Sequence, residues 1–408
     1  MAGSSRASRG ARGGNERVVS LSGAVARGAC AAALVGFAWC GAASAQLREL
    51  QLTFEPFDHV NPVWGPDLPP VCDERGDYFA YQYTDENGRQ QLAARQFKFG
   101  GGIGEPLLLT DPSGPADNCE PQFAPSGEYV IFVRQMPGEP PKIYRIDFDS
   151  NSTAFPDQIP VAVGDAEHRN PRISPDGNVI AYEKKRPGDA TWQIWTYCVT
   201  CGIETMRTFD RRQDHYGVAW APNSASFVFA RTIAGPGTAA NLFRYDVTTV
   251  RLRALTSDAG PRTYVDPSWT IDDVEFGQYV LAVRGIAPNG PFNVVQVNQN
   301  GSLLVEQLTG RTDGLCENPR TDITYRAPFG GPQNSRKILV EVKDLSTDET
   351  HVARILNGLL DLPQRCPLIH ALTRAGATNA RWDPTTTNAI YQKKVGEHWQ
   401  IFILDSVF

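Results

Sequence analysis

Long apolar runs, basic clusters and methionine are all scarce in this 408-residue chain. It holds three Met, 39 Lys and Arg against 45 Asp and Glu, and a net charge of −6. No apolar stretch reaches the ~20 residues a membrane-spanning helix needs. The absence of basic runs argues against a nucleic-acid partner, since phosphate binding rests on Lys and Arg. There is no G-x-S-x-G nucleophile elbow. "FGGGIGE" at 99–105 opens no helix and lacks a Lys, so it reads as a loop rather than a phosphate cradle. "DFDSN" at 147–151 lacks the glycine and distal Glu of a calcium loop and reads as a hairpin turn.

The N-terminus has the pattern of an export signal. Residues 1–27 carry five Arg and one Glu, "ACAAALVGFAWCGAA" follows at 29–43, and "ASA" at 43–45 has cleavage-site spacing before Gln46. Trp39 directly before Cys40 argues against a lipid-modified cysteine. The expectation is a cleaved signal, 1–45, and a single exported domain, 46–408, periplasmic or extracellular. Because residues 1–45 hold five Arg and one Glu, the charge over 46–408 becomes −10.

Six cysteines remain there: Cys72, Cys119, Cys198, Cys201, Cys316 and Cys366. An even number in an exported chain points to disulfides. Cys198 and Cys201, in "TYCVTCG", are expected to bridge across a hairpin tip. A redox or metal reading of this CxxC lacks a second CxxC, a following His and a helix start. The pairing of the other four stays open, with nearest neighbours (72–119, 316–366) preferred.

Turn-flanked strands recur along the chain. "NPRISPDGNVIAYEKK" (170–185) is echoed by "EPQFAPSGEYVIFVRQ" (120–135), "VAWAPNSASFVFAR" (218–231) and "NARWDPTTTNAIYQKK" (379–394). The residue before each turn gives anchors at Trp64, Phe123, Ile173, Trp220, Trp269, Thr321 and Trp382, in steps of about 50 residues. Each unit shows short, partly alternating runs bounded by Gly, Pro and Asp, which are strands. Several fourth strands end in Leu-Thr: "PLLLT" (106–110), "LRALT" (252–256), "VEQLT" (305–309) and "IHALT" (369–373). The last unit lacks one, and "LRELQLT" (47–53) at the other end supplies it. The expectation is an all-β, closed β-propeller of seven four-stranded blades, with six or eight as alternatives. The segments 65–76 and 344–366 depart from the repeat and read as insertions.

The repeats resemble the WD40-like P-x-W/F-S-P-D-G repeat of the TolB-like propellers, across essentially all of 46–408. That resemblance implies a propeller fold and an envelope protein or glycan as partner. TolB proteins differ in having six blades and an N-terminal α/β domain.

Five residues before each anchor, where a crossover loop enters the next unit, stand His59, Asn118, His168, His215, Tyr264, Cys316 and Ala377. Asp58, Glu167 and Asp214 precede the three histidines. Two readings follow. In one, His59, His168 and His215 hold a divalent metal or an anionic substrate at the channel mouth, with Arg169 pairing a uronate carboxylate. In the favoured one, each acid–histidine pair ties its own loop to backbone, and no cofactor is expected. The first opens an enzymatic alternative. Oligogalacturonate lyase has similar repeats, and likeness to it implies metal-assisted proton abstraction from an acidic sugar. The preferred expectation is a non-catalytic platform for a protein or glycan segment.

Overall fold

The computed structural model describes residues 48–66, 77–98, 102–152, 154–260, 262–269, 279–285, 292–298, 305–307, 316–317, 321–322, 337–345, 347–356, 370–373, 376–382 and 388–405. The signal-like residues 1–45, including Trp39 and Cys40, lie outside them, as do most of 65–76, Thr309 and the C-terminal part of 344–366. Every regular element among the described residues is a β-strand. Their β-branched and aromatic content suits a pleated surface buried on both faces.

These strands fall into seven sheets of four or five strands, all paired antiparallel. Six of the sheets follow chain order; the other is Arg48–Gln51 beside His398–Asp405, Ala389–Val395 and Ala377–Trp382. The N-terminal strand therefore closes the C-terminal sheet, with Arg48 opposite Asp405 and Gln51 opposite Phe402. Part of the expected insertion at 344–366 is regular: Glu349–Leu356 pairs with Lys337–Asp344 as a third strand. The Gly-rich loop ends in Gly102–Ile103, a short strand on Phe97 and Lys98.

First strands contact one another in sequence: His59–Trp64, Asp117–Phe123, Glu167–Ile173, His215–Trp220, Thr263–Trp269, Thr321–Asp322 and Ala377–Trp382, which returns to His59–Trp64. They form an inner ring, and apolar clusters fill the gaps between neighbouring sheets. One such cluster joins Phe123, Val130 and Phe132 to Ala80, Leu92 and Leu109.

The Leu-Thr endings have a structural cause. Thr256 Oγ1 accepts from Leu242 N at 2.9 Å and donates to Asn241 Oδ1 at 2.8 Å. Thr110 does the same with Leu92 N and Gln91, and Thr53 with Ile401 N and Gln400. Thr208, in a strand whose ending reads Met-Arg-Thr, repeats it with Ile194 N and Gln193. The amide nitrogens then reach into the crossover loop: Gln91 to Ala116 O, Gln193 to Asp210 O, Asn241 to Asp258 O, Gln400 to Glu55 O and Phe57 O. A hydroxyl side chain is needed because one group must accept and donate at once.

The seam is reinforced by a motif used elsewhere in the ring. In the third sheet Tyr182 Oη and Lys184 Nζ both bind the Glu204 carboxylate. In the last sheet Tyr391 Oη and Lys393 Nζ bind Glu49 in the same way. The N-terminal strand thus reproduces a fourth strand in its side chains as well as its register.

Magnitudes separate these two devices. Thr208→Val leaves the Ile194 N–H and the Gln193 carbonyl oxygen without their buried partner, and should lower unfolding free energy by about 1–3 kcal/mol. Lys393→Met removes only the part-exposed ion pair with Glu49 and leaves the Tyr391 contact, and should cost about 0.5–1 kcal/mol. Urea titration of both variants measures the difference; equal costs would mean the threonine clamp is dispensable.

Candidate channel-mouth site

Six of the seven described inner strands carry a bulge. The pairing register shifts between Val60 and Val63, Cys119 and Gln122, Arg169 and Arg172, Tyr216 and Ala219, Val265 and Ser268, and Thr378 and Arg381. Inside each shift one residue is left-handed: Asn61, Glu120, Asn170, Gly217, Asp266 and Asn379, with φ between 49° and 70°. Asn and Gly tolerate this conformation, and the prolines that follow at 62, 121, 171 and 267 have no N–H to lose from the ladder.

The amide of the left-handed residue crosses to the preceding sheet. Asn61 N donates to Gln392 Oε1 at 2.8 Å, Glu120 N to Gln82 Oε1 at 3.0 Å and Asn170 N to Glu120 Oε2 at 2.6 Å. Gly217 N donates to Glu183 Oε1 at 2.9 Å, and Asn379 N to Glu341 Oε1 at 2.6 Å. This forms a polar belt around the inner ring. Sequence reasoning missed it, although Asn-Pro at 61–62 and 170–171 was a readable signal for a left-handed residue within a strand.

Arg172 and Arg381 occupy equivalent positions just past their bulges. Each guanidinium folds back onto the preceding carbonyl, of Pro171 at 3.0 Å and Ala380 at 3.4 Å. Burial lowers the Arg172 pKa, the Arg381 charge adds to that, and Glu120 and Asp266 oppose it. Burial also raises the carboxyl of Glu120.

The shared histidine position faces the sheet packing instead of the channel. His59, His168 and His215 are all buried, and their rings lie 5.5, 5.7 and 5.5 Å from Tyr81, Tyr182 and Phe229 of their own sheets. His59 Nδ1 donates to Phe57 O at 2.9 Å, since a carbonyl can only accept, and Nε2 lies 3.3 Å from Glu55. His168 places Nδ1 3.2 Å from Pro141 O, and its backbone N bonds the same carbonyl. His215 N bonds Trp192 O at 2.9 Å. The three belong to three different sheets, and among the described residues no group of three His, Cys, Asp or Glu could hold a metal. The same packing takes Asn118, bonded to Gln91, and Tyr264, whose hydroxyl meets Asp258.

Two of the preceding acids join neighbouring sheets. Asp58 Oδ1 accepts from Trp399 N and Asp214 Oδ1 from Trp192 N, both at 2.9 Å, while Glu167 is exposed at the strand start. Asp117 uses the same bond, to Gln90 N.

Arg169 is placed differently. Its Nε donates to Glu183 Oε2 at 2.7 Å, and its guanidinium lies 3.8 Å from the Trp192 ring. Glu183 is fully buried and also accepts from Asn170 Nδ2 and Gly217 N, whereas Arg169 is 40 % exposed. The guanidinium is held flat between an acid and an indole, and its terminal nitrogens have no partner among the described residues.

The cysteines divide as follows. Cys198 and Cys201 form a disulfide at the hairpin tip, with Cα atoms 5.4 Å apart. Cys119 is a free thiol, which corrects the preferred 72–119 pairing. Burial, aided by Glu120 and Asp117, pushes it up to about 12, so it is unreactive at neutral pH. Cys72 and Cys366 lie outside the described residues.

No protein-family model matches the sequence, and no curated protein does. Solved structures do match. A prolyl endopeptidase overlaps with a TM-score of 0.56 at 13% identity, over 86% of this chain and 50% of that one. This chain thus spans about half the length of that relative. Oligogalacturonate lyase from Vibrio parahaemolyticus overlaps at 0.52 and 10% identity, over 89% of this chain and 94% of that one. A putative TolB from Agrobacterium tumefaciens overlaps at 0.45 and 14% identity, over 74% and 95%. In fold the chain is a β-propeller. At these identities the likeness is one of fold alone.

The propeller's stability should depend on pH through two of the buried histidines. Burial lowers His168 and His215 to about 4, well under their ordinary value near 6.5. Between those limits the unfolded chain binds protons that the folded chain refuses, so stability rises with pH from about 4 to 6.5. The slope is at most about 1.4 kcal/mol per pH unit for each histidine. In His168→Phe it should flatten by about one histidine's share, read as urea midpoints at pH 4.5, 5.5 and 6.5. An unchanged slope would mean the His168 ring is protonated in the fold.

Proposed function

We propose that the chain is an exported, seven-bladed propeller that acts as a non-catalytic platform, docking a protein or glycan segment over the channel mouth in the periplasm or outside the cell. One observation carries this reading: the crossover histidines are buried in the sheet packing, while Arg169 is held between Glu183 and Trp192 and is partly exposed. A rigid, partly exposed donor suits recognition, because little freedom is lost on binding. Seven sheets in cyclic contact, with the N-terminal strand in the last, support the blade number. Export rests on the signal-like residues 1–45.

A metal-dependent lyase of the oligogalacturonate-lyase type is the competing reading, and it rests on fold. Incubation with oligogalacturonate and Mn2+ separates the two, followed by the ultraviolet absorbance of the unsaturated sugar a lyase releases. The platform reading expects no product, and no stoichiometric metal in the chain or in a His59→Ala/His215→Ala variant. Product formation, with about one equivalent of metal lost in the variant, would establish the lyase reading instead.

A further inference from the structure

The third sheet departs from its neighbours at one hairpin tip. In three other sheets the third strand ends on an acid, Asp147, Asp246 or Asp405; in this one it ends on Cys198. The threonine clamps fix the alignment, because Gln193 and Asn241 make the same bond five residues before Cys198 and Asp246. In the fourth sheet Asp246 Oδ1 accepts from Thr249 N at 2.7 Å, three residues on, and that amide holds the carboxyl below its ordinary value. Cys198 Sγ accepts from Cys201 N at 3.1 Å with the same spacing, and Thr200 Oγ1 lies 3.6 Å from it. The sulfur thus occupies the seat of a carboxylate, with an amide and a hydroxyl able to donate to a negative charge. Glu204, the acid that follows on the return strand, is bound by Tyr182 and Lys184.

The disulfide is not what closes this hairpin. Cys198 N donates to Ile203 O and Gly202 N to Cys198 O, both at 2.9 Å, and Gly202 supplies the left-handed turn residue with a φ of 68°. The fourth sheet turns at the same place without sulfur. Stabilisation by a bridge grows with the loop it closes, and this one joins residues only three apart. It is also open to attack, since Cys201 is exposed and Cys198 half-buried. Ile203, the cross-strand neighbour of Cys198, is 60 % exposed and sets an apolar surface beside the bridge.

We propose that Cys198–Cys201 is a thiol–disulfide exchange site that oxidises a pair of thiols on a partner protein. A partner thiolate attacks the exposed Cys201 Sγ and forms an S–S bond there. The Cys198–Cys201 bond breaks, and Cys198 leaves with the electron pair as a thiolate held by the Cys201 N–H and Thr200. The partner's second thiolate then attacks the partner sulfur of the mixed disulfide and releases Cys201. The partner loses two electrons and gains a disulfide, and the two protons from its thiols end on Cys198 and Cys201. The hairpin amide supplies the donor that a helix start would otherwise supply. This chemistry is independent of what docks at the channel mouth.

Thiol alkylation with peptide mapping tests this on the full chain made in an oxidising compartment, at neutral pH and without urea. Two probes are used: a synthetic peptide carrying two reduced cysteines flanked by Leu, and glutathione. The peptide should leave with a disulfide while Cys198 and Cys201 become open to alkylation, and the reduced chain should keep its near-ultraviolet circular dichroism. Glutathione trapped by acid quenching should sit on Cys201. Ile203→Asn should slow the peptide by about fivefold and leave the glutathione rate unchanged. Reduction that occurs only in urea, or that unfolds the chain, would make the bridge structural and overturn the proposal. Glutathione trapped on Cys198 would overturn the assignment of the leaving sulfur. Equal peptide rates in Ile203→Asn and the parent chain would sink the protein partner.

Discussion

The bond from the left-handed inner-strand amide to a side chain of the preceding sheet, made at Asn61, Glu120, Asn170, Gly217 and Asn379, is the constraint on which the ring depends. A bulge frees one backbone N–H per inner strand, and burying it unpaired would cost about 1–3 kcal/mol. Each sheet supplies its neighbour's acceptor: Gln392 for Asn61, Gln82 for Glu120, Glu183 for Gly217 and Glu341 for Asn379. No such sheet is satisfied alone. Closing the ring follows from the same requirement, since an open array would leave one donor strand without a partner sheet and two exposed sheet edges.

Closure is where a chain of repeats must spend its two ends. The last sheet borrows Arg48–Gln51, and the clamp at Thr53 and the Glu49 contacts with Tyr391 and Lys393 are those the other sheets make within themselves. Arg95 of the first sheet adds a grip from the other side, donating to Leu52 O and binding the Glu55 carboxylate. The seam is thus held by contacts from both neighbours.

Strands and turns were legible in the sequence because period-two alternation and Pro-Asp-Gly chemistry are local signals, and so was the N-terminal strand's role, from the Leu-Thr ending it shares. Cys198–Cys201 was legible from spacing. The histidine position was visible as a repeat, yet whether a buried ring faces a channel or a neighbouring tyrosine is a matter of packing that no spacing encodes. The Thr–Gln clamps and the polar belt were likewise hidden, since their partners sit 14 to 50 residues apart or at opposite chain ends.

Repetition itself helps to locate function. A feature that recurs from sheet to sheet answers to a need the sheets share, as the clamps, bulges and belt bonds do. What distinguishes one sheet from the rest is free of that duty. In the third and sixth sheets the belt acceptors are acids, Glu183 and Glu341, where Gln82 and Gln392 stand in the equivalent strands. A neutral amide would suffice for the Gly217 N–H. The negative charge of Glu183 is matched by Arg169, whose guanidinium lies against the Trp192 ring. The belt acceptor thereby also fixes the Arg169 guanidinium, a second use that the neutral amides of Gln82 and Gln392 would not serve.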